Sequence, residues 1–65
     1  MYLIMASEKS YFTGRCRNYF GRKAFADVSI TTDINHALIL KEEWVQLFVK
    51  QYGGKVLKIK LQEVV

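Results

Sequence analysis

The chain has 65 residues, 51% of them apolar and 14% aromatic, with no proline, one cysteine and a formal net charge of +4. That length supports one hydrophobic core and not two, so residues 1–65 are read as a single domain, and the apolar content excludes a disordered tail. The lone Cys16 cannot close an internal disulfide, which points to a reducing compartment, the cytoplasm, and against secretion.

Tyr2 to Ala6 is a β-prone apolar run. It lacks the preceding basic residues and the cleavage pattern of a signal peptide, so it reads as a strand. No stretch approaches the roughly 20 apolar residues that a bilayer demands, so no membrane partner is expected. Ser7 to Ser10 is polar and reads as a four-residue connection leading to Tyr11–Gly14, which completes a hairpin. From Gly14 to Lys23 no hydrophobic period is visible and two glycines occur, which predicts a loop or an irregular second half of that hairpin. Ala24 to Thr32 alternates again, with Ala26, Val28 and Ile30 expected on one face and Asp27, Ser29 and Thr31 on the other.

The stretch from Thr31 to Leu40 supports two readings. A helix capped by Thr32 or Asp33 would run through to Tyr52 but leave Ile39 in water. A turn at Asp33–His36, a short strand at Leu38–Leu40 and a helix from Lys41 bury Ile39, and this reading is preferred. Over Lys41–Tyr52, Trp44, Val45, Leu47, Phe48, Val49 and Tyr52 fall on one broad arc, with Glu42 and Glu43 in the first turn and Lys50 near the last. Gly53-Gly54 ends the helix. Lys55–Glu63 reads as a last strand, with Leu57, Ile59 and Leu61 opposed to Lys58, Lys60 and Gln62. The expected fold class is α+β: a small antiparallel or mixed sheet of three to five strands with one amphipathic helix packed on one face.

Three stretches, TTDINHALIL, KEEWVQLFVKQYGG and KVLKIKL, follow one another from Thr31 to Leu61, and the opening YLIMASEKSYFTG precedes them. Together they resemble a pattern found in short uncharacterised proteins of bacteriophages and related mobile elements. The resemblance implies a β-hairpin plus α-β fold, a bacterial host cell as the setting, and action by binding and modulating host machinery. It carries over no functional residue. The segment RCRNYFGRKAF, Arg15 to Phe25, departs from the plainer members and is the expected place of individual function.

Chemistry is concentrated in that segment. From Lys9 to Lys23 there are five basic residues, Lys9, Arg15, Arg17, Arg22 and Lys23, and no acidic one. Interleaved with them are Tyr11, Phe12, Tyr19, Phe20 and Phe25. Arginine and tyrosine anchor protein interfaces, and the same types bind single-stranded nucleic acid by stacking on bases while cations track the phosphates. The plain alternative is that the rings are core and the cations a solvated rim. Tyr11, Arg15, Arg17, Tyr19, Phe20, Arg22 and Lys23 are therefore the expected partner-binding residues, with Lys58 and Lys60 as a secondary basic face. A host protein is ranked first as the partner and single-stranded DNA or RNA second, and either a homodimer or a complex with a partner is expected to cover spare apolar surface.

No catalytic, cofactor or metal constellation is found. His36 and Cys16 stand alone, Glu42 and Glu43 diverge by about 100° on a helix, and Gly53-Gly54 follows a helix where a phosphate loop would precede one. Trp44 lies on the apolar arc and is expected in the core. Arg15 and Arg17 flank Cys16, and such neighbours lower a thiol pKa, but an exposed bystander thiol is the preferred reading. The sequence thus predicts a non-enzymatic binding protein acting through a basic and aromatic loop, and the resemblance implies that it is a phage-encoded modulator or inhibitor of a host protein.

Overall fold

A computed structural model describes residues 1–59. Four strands form one antiparallel sheet in the order β3-β2-β1-β4: β1 is Tyr2–Ser7, β2 Ser10–Tyr19, β3 Arg22–Thr31 and β4 Lys55–Lys58. One helix, α1 (Glu42–Tyr52), packs on one face, so the fold is α+β in two layers. β1 is central because it is the strand whose two faces are both covered. Ile4 faces the helix beside Leu40 and Phe48, while Leu3 is buried on the other side. Burying an aliphatic or phenyl side chain of this size contributes roughly 1.5–3 kcal/mol, so this small group dominates the stability of a 65-residue chain.

Helix α1 begins where Lys41, with β-region dihedrals, takes the N-cap position without any side-chain hydrogen bond. Glu42 and Glu43 sit at the positive end of the dipole and Lys50 at the negative end. Its inner stripe meets the sheet through rings. Phe48 lies 5.1 Å from Phe12 and 4.9 Å from Phe25, both edge-on, and Trp44 lies 5.6 Å from Phe25. Such edge-to-face pairs add about 0.5–1.5 kcal/mol beyond the area they bury. The backbone N–H of Gly53 closes the helix on the Val49 carbonyl.

Gly54 then turns the chain into β4 with φ +97°, and a methyl added there would stand 2.5 Å from Ile4 Cγ2 and 2.9 Å from Met5 O. Glycine is required here both for the dihedral and for the close approach of backbone to core.

Several sequence expectations are corrected at this level. The first hairpin turns on Glu8 and Lys9 alone, because Ser7 and Ser10 already pair as strand residues. The region from Gly14 to Lys23 is not a loop: it forms the outer halves of β2 and β3, paired from Arg15 opposite Ala26 to Tyr19 opposite Arg22. The expected face shared by Ala26, Val28 and Ile30 is broken by a β-bulge, in which Asp27 and Val28 together oppose Gly14 and Asp27 takes φ +56°. Across the bulge the alternation resets, so Val28 and Phe25 both reach the helix while Ala26 faces away beside Arg15.

The segment from Thr31 to Leu40 follows the preferred reading in outline. Asp33 caps a single 3-10 turn, Ile34–His36, accepting from the Asn35 N–H at 2.9 Å. The expected strand at Leu38–Leu40 reduces to one bridge. Leu40 exchanges two hydrogen bonds with Tyr2, and the Leu38 N–H donates to the Phe12 carbonyl, so this short piece fills the gap where β1 and β2 diverge. Leu40 is the residue buried there; Ile39 is exposed. In β4, Leu57 pairs with Leu3 and lies on the face away from the helix, half exposed, so the alternation was legible but its covered side was not. The expected outer part of that strand, including Lys60 and Leu61, lies outside the described residues.

Candidate functional site: a cationic hairpin arm

Beyond the bulge, β2 and β3 continue as a two-stranded arm. Every residue from Arg15 to Lys23 is exposed, although all but Phe20 and Gly21 are paired in the ladder. The radius of gyration, 12.0 Å, exceeds the roughly 10–11 Å of a compact chain of this length, as a projecting ribbon requires.

Register decides what the arm presents. Residues directly opposite in an antiparallel pair share a face, so Arg15, Arg17 and Tyr19 of β2 stand with Ala26, Ala24 and Arg22 of β3. That face points away from the helix. Arg15 and Arg17 are about 6.8 Å apart along the strand, and Arg22 sits directly across from Tyr19. Ala24 and Ala26 opposite the first two arginines keep the surface low, and both arginines are exposed on it. Among the described residues, no carboxylate pairs with Arg15, Arg17 or Arg22.

The opposite face carries Cys16 with Phe25 and Asn18 with Lys23. Phe25 is part of the core, and Lys23 is drawn to the helix. Its Nζ lies 3.3 Å from Glu43 Oε2 and 5.5 Å from the centre of the Trp44 ring. Half-exposed as it is, this pair is screened by solvent and adds little stability, but it orients Lys23 away from the arginine face.

Although the residue is exposed, partial burial of its sulfur raises the pKa of the Cys16 thiol from its ordinary value. The alternative of a thiol pKa lowered by Arg15 and Arg17 does not hold, because strand alternation sends both arginines to the other face while Cys16 stands on the Phe25 side.

At the apex, Tyr19 and Arg22 close a two-residue turn in which Phe20 has φ +49° and Gly21 φ +83°. Two consecutive positive values are the signature of a type I′ turn, which matches the twist of a ribbon and favours Asn-Gly or Gly-Gly. A phenylalanine in the left-handed region costs roughly 1–2 kcal/mol. Phe20 is also fully exposed, at 107% of its reference area, so no packing offsets that cost.

The expected site residues are thus divided. Arg15, Arg17, Tyr19, Phe20 and Arg22 come together on the arm; Lys23 belongs to the helix contact; Tyr11 is half-buried in the body of the sheet between Met5 and Thr31. Lys58 lies on β4, the opposite edge strand, with β1 between it and the arm, so it does not extend the arginine face. Lys60 lies outside the described residues. Of the aromatic residues interleaved with the cations, Phe12 and Phe25 are in the core. What sequence reasoning missed is the strain at the apex, whose signal was the bulky residue before Gly21 between two strand-like stretches.

A second exposed feature is an open apolar groove of about 550 Å³ on the sheet face away from the helix, lined by Leu3, Ile34, Ala37, Ile39, Leu57 and Ile59 among others. No helix of the described residues is long and apolar enough to cross a membrane. Comparison of the chain with protein-family models, with characterised proteins and with solved structures finds no match, so the arm is read from its own geometry.

Proposed function

We propose that this chain is a non-enzymatic nucleic-acid-binding protein whose recognition element is the hairpin arm. The observation that carries the reading is the arrangement of Arg15, Arg17 and Arg22 with Tyr19 on one low face of a two-stranded ribbon, with no carboxylate pairing those arginines among the described residues. Guanidinium groups recognise phosphate with forked hydrogen bonds, and a ribbon of two strands is narrow enough to lie along a nucleic-acid groove. The arm presents this surface on the face opposite the one through which Phe25 joins the core, so the arginines are held in register without packing in it.

The sequence alone ranks a host protein first. That second reading, a phage-encoded modulator docking on an acidic protein surface, is favoured by Tyr19 and Phe20, residue types that anchor protein interfaces when exposed beside arginine. The geometry supports phosphate over it because Lys23 is withdrawn and what remains is a row of arginines presented along a ribbon rather than a rimmed apolar patch.

Anisotropy of a labelled duplex titrated at about 50 to 300 mM salt tests the reading. Three phosphate contacts give a slope of log K against log salt of about −2.7. Weak binding that does not change with salt would remove the phosphate reading, and capture of one stoichiometric protein partner through the arm, with no nucleic-acid binding, would put the second reading in its place.

A further inference from the structure

Phe20 is the least explained residue of the arm. It occupies a backbone position that asparagine or glycine fills with less strain, it touches no core residue, and its ring stands wholly in solvent at the extreme tip of the ribbon. Neither the turn nor the packing accounts for a phenyl group there.

The surroundings of the tip restrict what such a ring can engage. A platform for single strands needs several aromatic faces in a row among the cations, because successive bases stack on successive rings. The arm offers Tyr19 on its arginine face and Phe20 at its apex, whereas Phe12 and Phe25 are committed to the core and Tyr11 to the body of the sheet. One apolar ring at the end of a cationic ribbon is instead the equipment of a wedge. In groove-binding proteins that distort their target, basic side chains hold the phosphates on either side while a phenylalanine or another apolar side chain enters between stacked base pairs and kinks the helix.

We infer that Phe20 is a wedge: it inserts at a base step of duplex nucleic acid and bends it, while Arg15, Arg17 and Arg22 grip the flanking phosphates. This inference rests on the nucleic-acid reading above and deepens it, naming duplex over single strand as the preferred form. The most deformable steps, pyrimidine followed by purine, are the expected points of entry because unstacking is easiest there. Binding is therefore expected to be tolerant of sequence but to favour duplexes containing such a step.

The test uses a short duplex with a central TA step, labelled at its two ends with a fluorescent donor and acceptor, together with a single strand of the same length. The wild-type chain is expected to bind the duplex more tightly than the single strand and to raise energy transfer by shortening the end-to-end distance. The variant Phe20→Asn suits the turn better and is expected to fold at least as well, to bind the duplex more weakly than wild type but with the salt dependence of the arginines retained, and to leave energy transfer unchanged from free duplex. Phe20→Trp is expected to restore the bend.

Salt-dependent binding by wild type without any change in energy transfer would overturn the wedge and leave the nucleic-acid reading standing, as would tighter binding to the single strand. Bending by Phe20→Asn equal to wild type would overturn the wedge as well. Absence of nucleic-acid binding at low salt would remove both readings together.

Discussion

The body and the arm of this molecule are built from the same two strands but follow opposite rules. Up to the bulge β2 and β3 supply Phe12 and Val28 to the packed layer under α1, and Phe25 joins them from just past it. Outside it, the same strands carry arginines, a tyrosine and a strained phenylalanine into water. The hinge between the two regimes is the Gly14 bulge. A Cβ at Gly14 would stand 3.0 Å from the Ala26 carbonyl oxygen, so the tight approach that resets the alternation needs glycine there. The contrast shows that ladder hydrogen bonds and the helix-side contacts of Phe25 and Lys23 hold the arm in register, and that the side chains of its arginine face are left without a structural duty.

If that division is right, substitutions in the body are costly and those in the arm are not. The largest effect is expected at Phe48, the fully buried centre of the ring cluster. Phe48→Ala should destabilise by about 3–5 kcal/mol, enough to unfold a chain of this size in a thermal melt. Gly54→Ala comes next, because the new methyl meets Ile4, Met5 and Phe12 at a backbone angle that L-residues avoid. Its cost is about 2 kcal/mol or more, readable as a lower denaturant midpoint with an unchanged slope.

At the tip of the arm the sign reverses. Phe20→Asn should raise stability by about 1 kcal/mol by relieving the left-handed phenylalanine, and an unchanged or lowered midpoint would remove the claim that Phe20 is strained. The smallest effect concerns Cys16. Its raised pKa keeps less of the thiol as thiolate in the folded chain than in the unfolded one near pH 8 to 9. Alkylation should accelerate on adding denaturant at that pH, whereas faster reaction of the native protein would mean that the flanking arginines govern the thiol after all.

How much of this was legible in the sequence follows from the same contrast. The helix from Lys41 was readable because one face is buried and the 3.6-residue period marks it, and the glycine pair named its end. The α+β class followed from that helix and the alternating stretches around it. The arm was read as a loop or an irregular half of a hairpin because a ribbon exposed over this stretch leaves no apolar alternation: Arg15, Cys16, Arg17, Asn18 and Tyr19 carry no period to detect. The faces of β3 were misassigned for a different reason, since a bulge shifts the period by one residue without any fixed sequence mark. The cluster of arginines was visible from composition alone. Which of the cations and rings stay free depended on register and on the Lys23 contact with Glu43 and Trp44, neither of which sequence order determines.

The separation of folding from recognition is tested most directly by one variant read in two ways. Arg15, Arg17 and Arg22 are each replaced by glutamine, and the thermal midpoint and the duplex affinity at low salt are measured on the same preparation. The midpoint is expected to move by no more than about 0.5 kcal/mol in stability, while affinity falls at least tenfold and its salt dependence flattens. A protein that keeps its affinity, or one that loses its fold along with its binding, would contradict the assignment of the arm as a recognition element independent of the core.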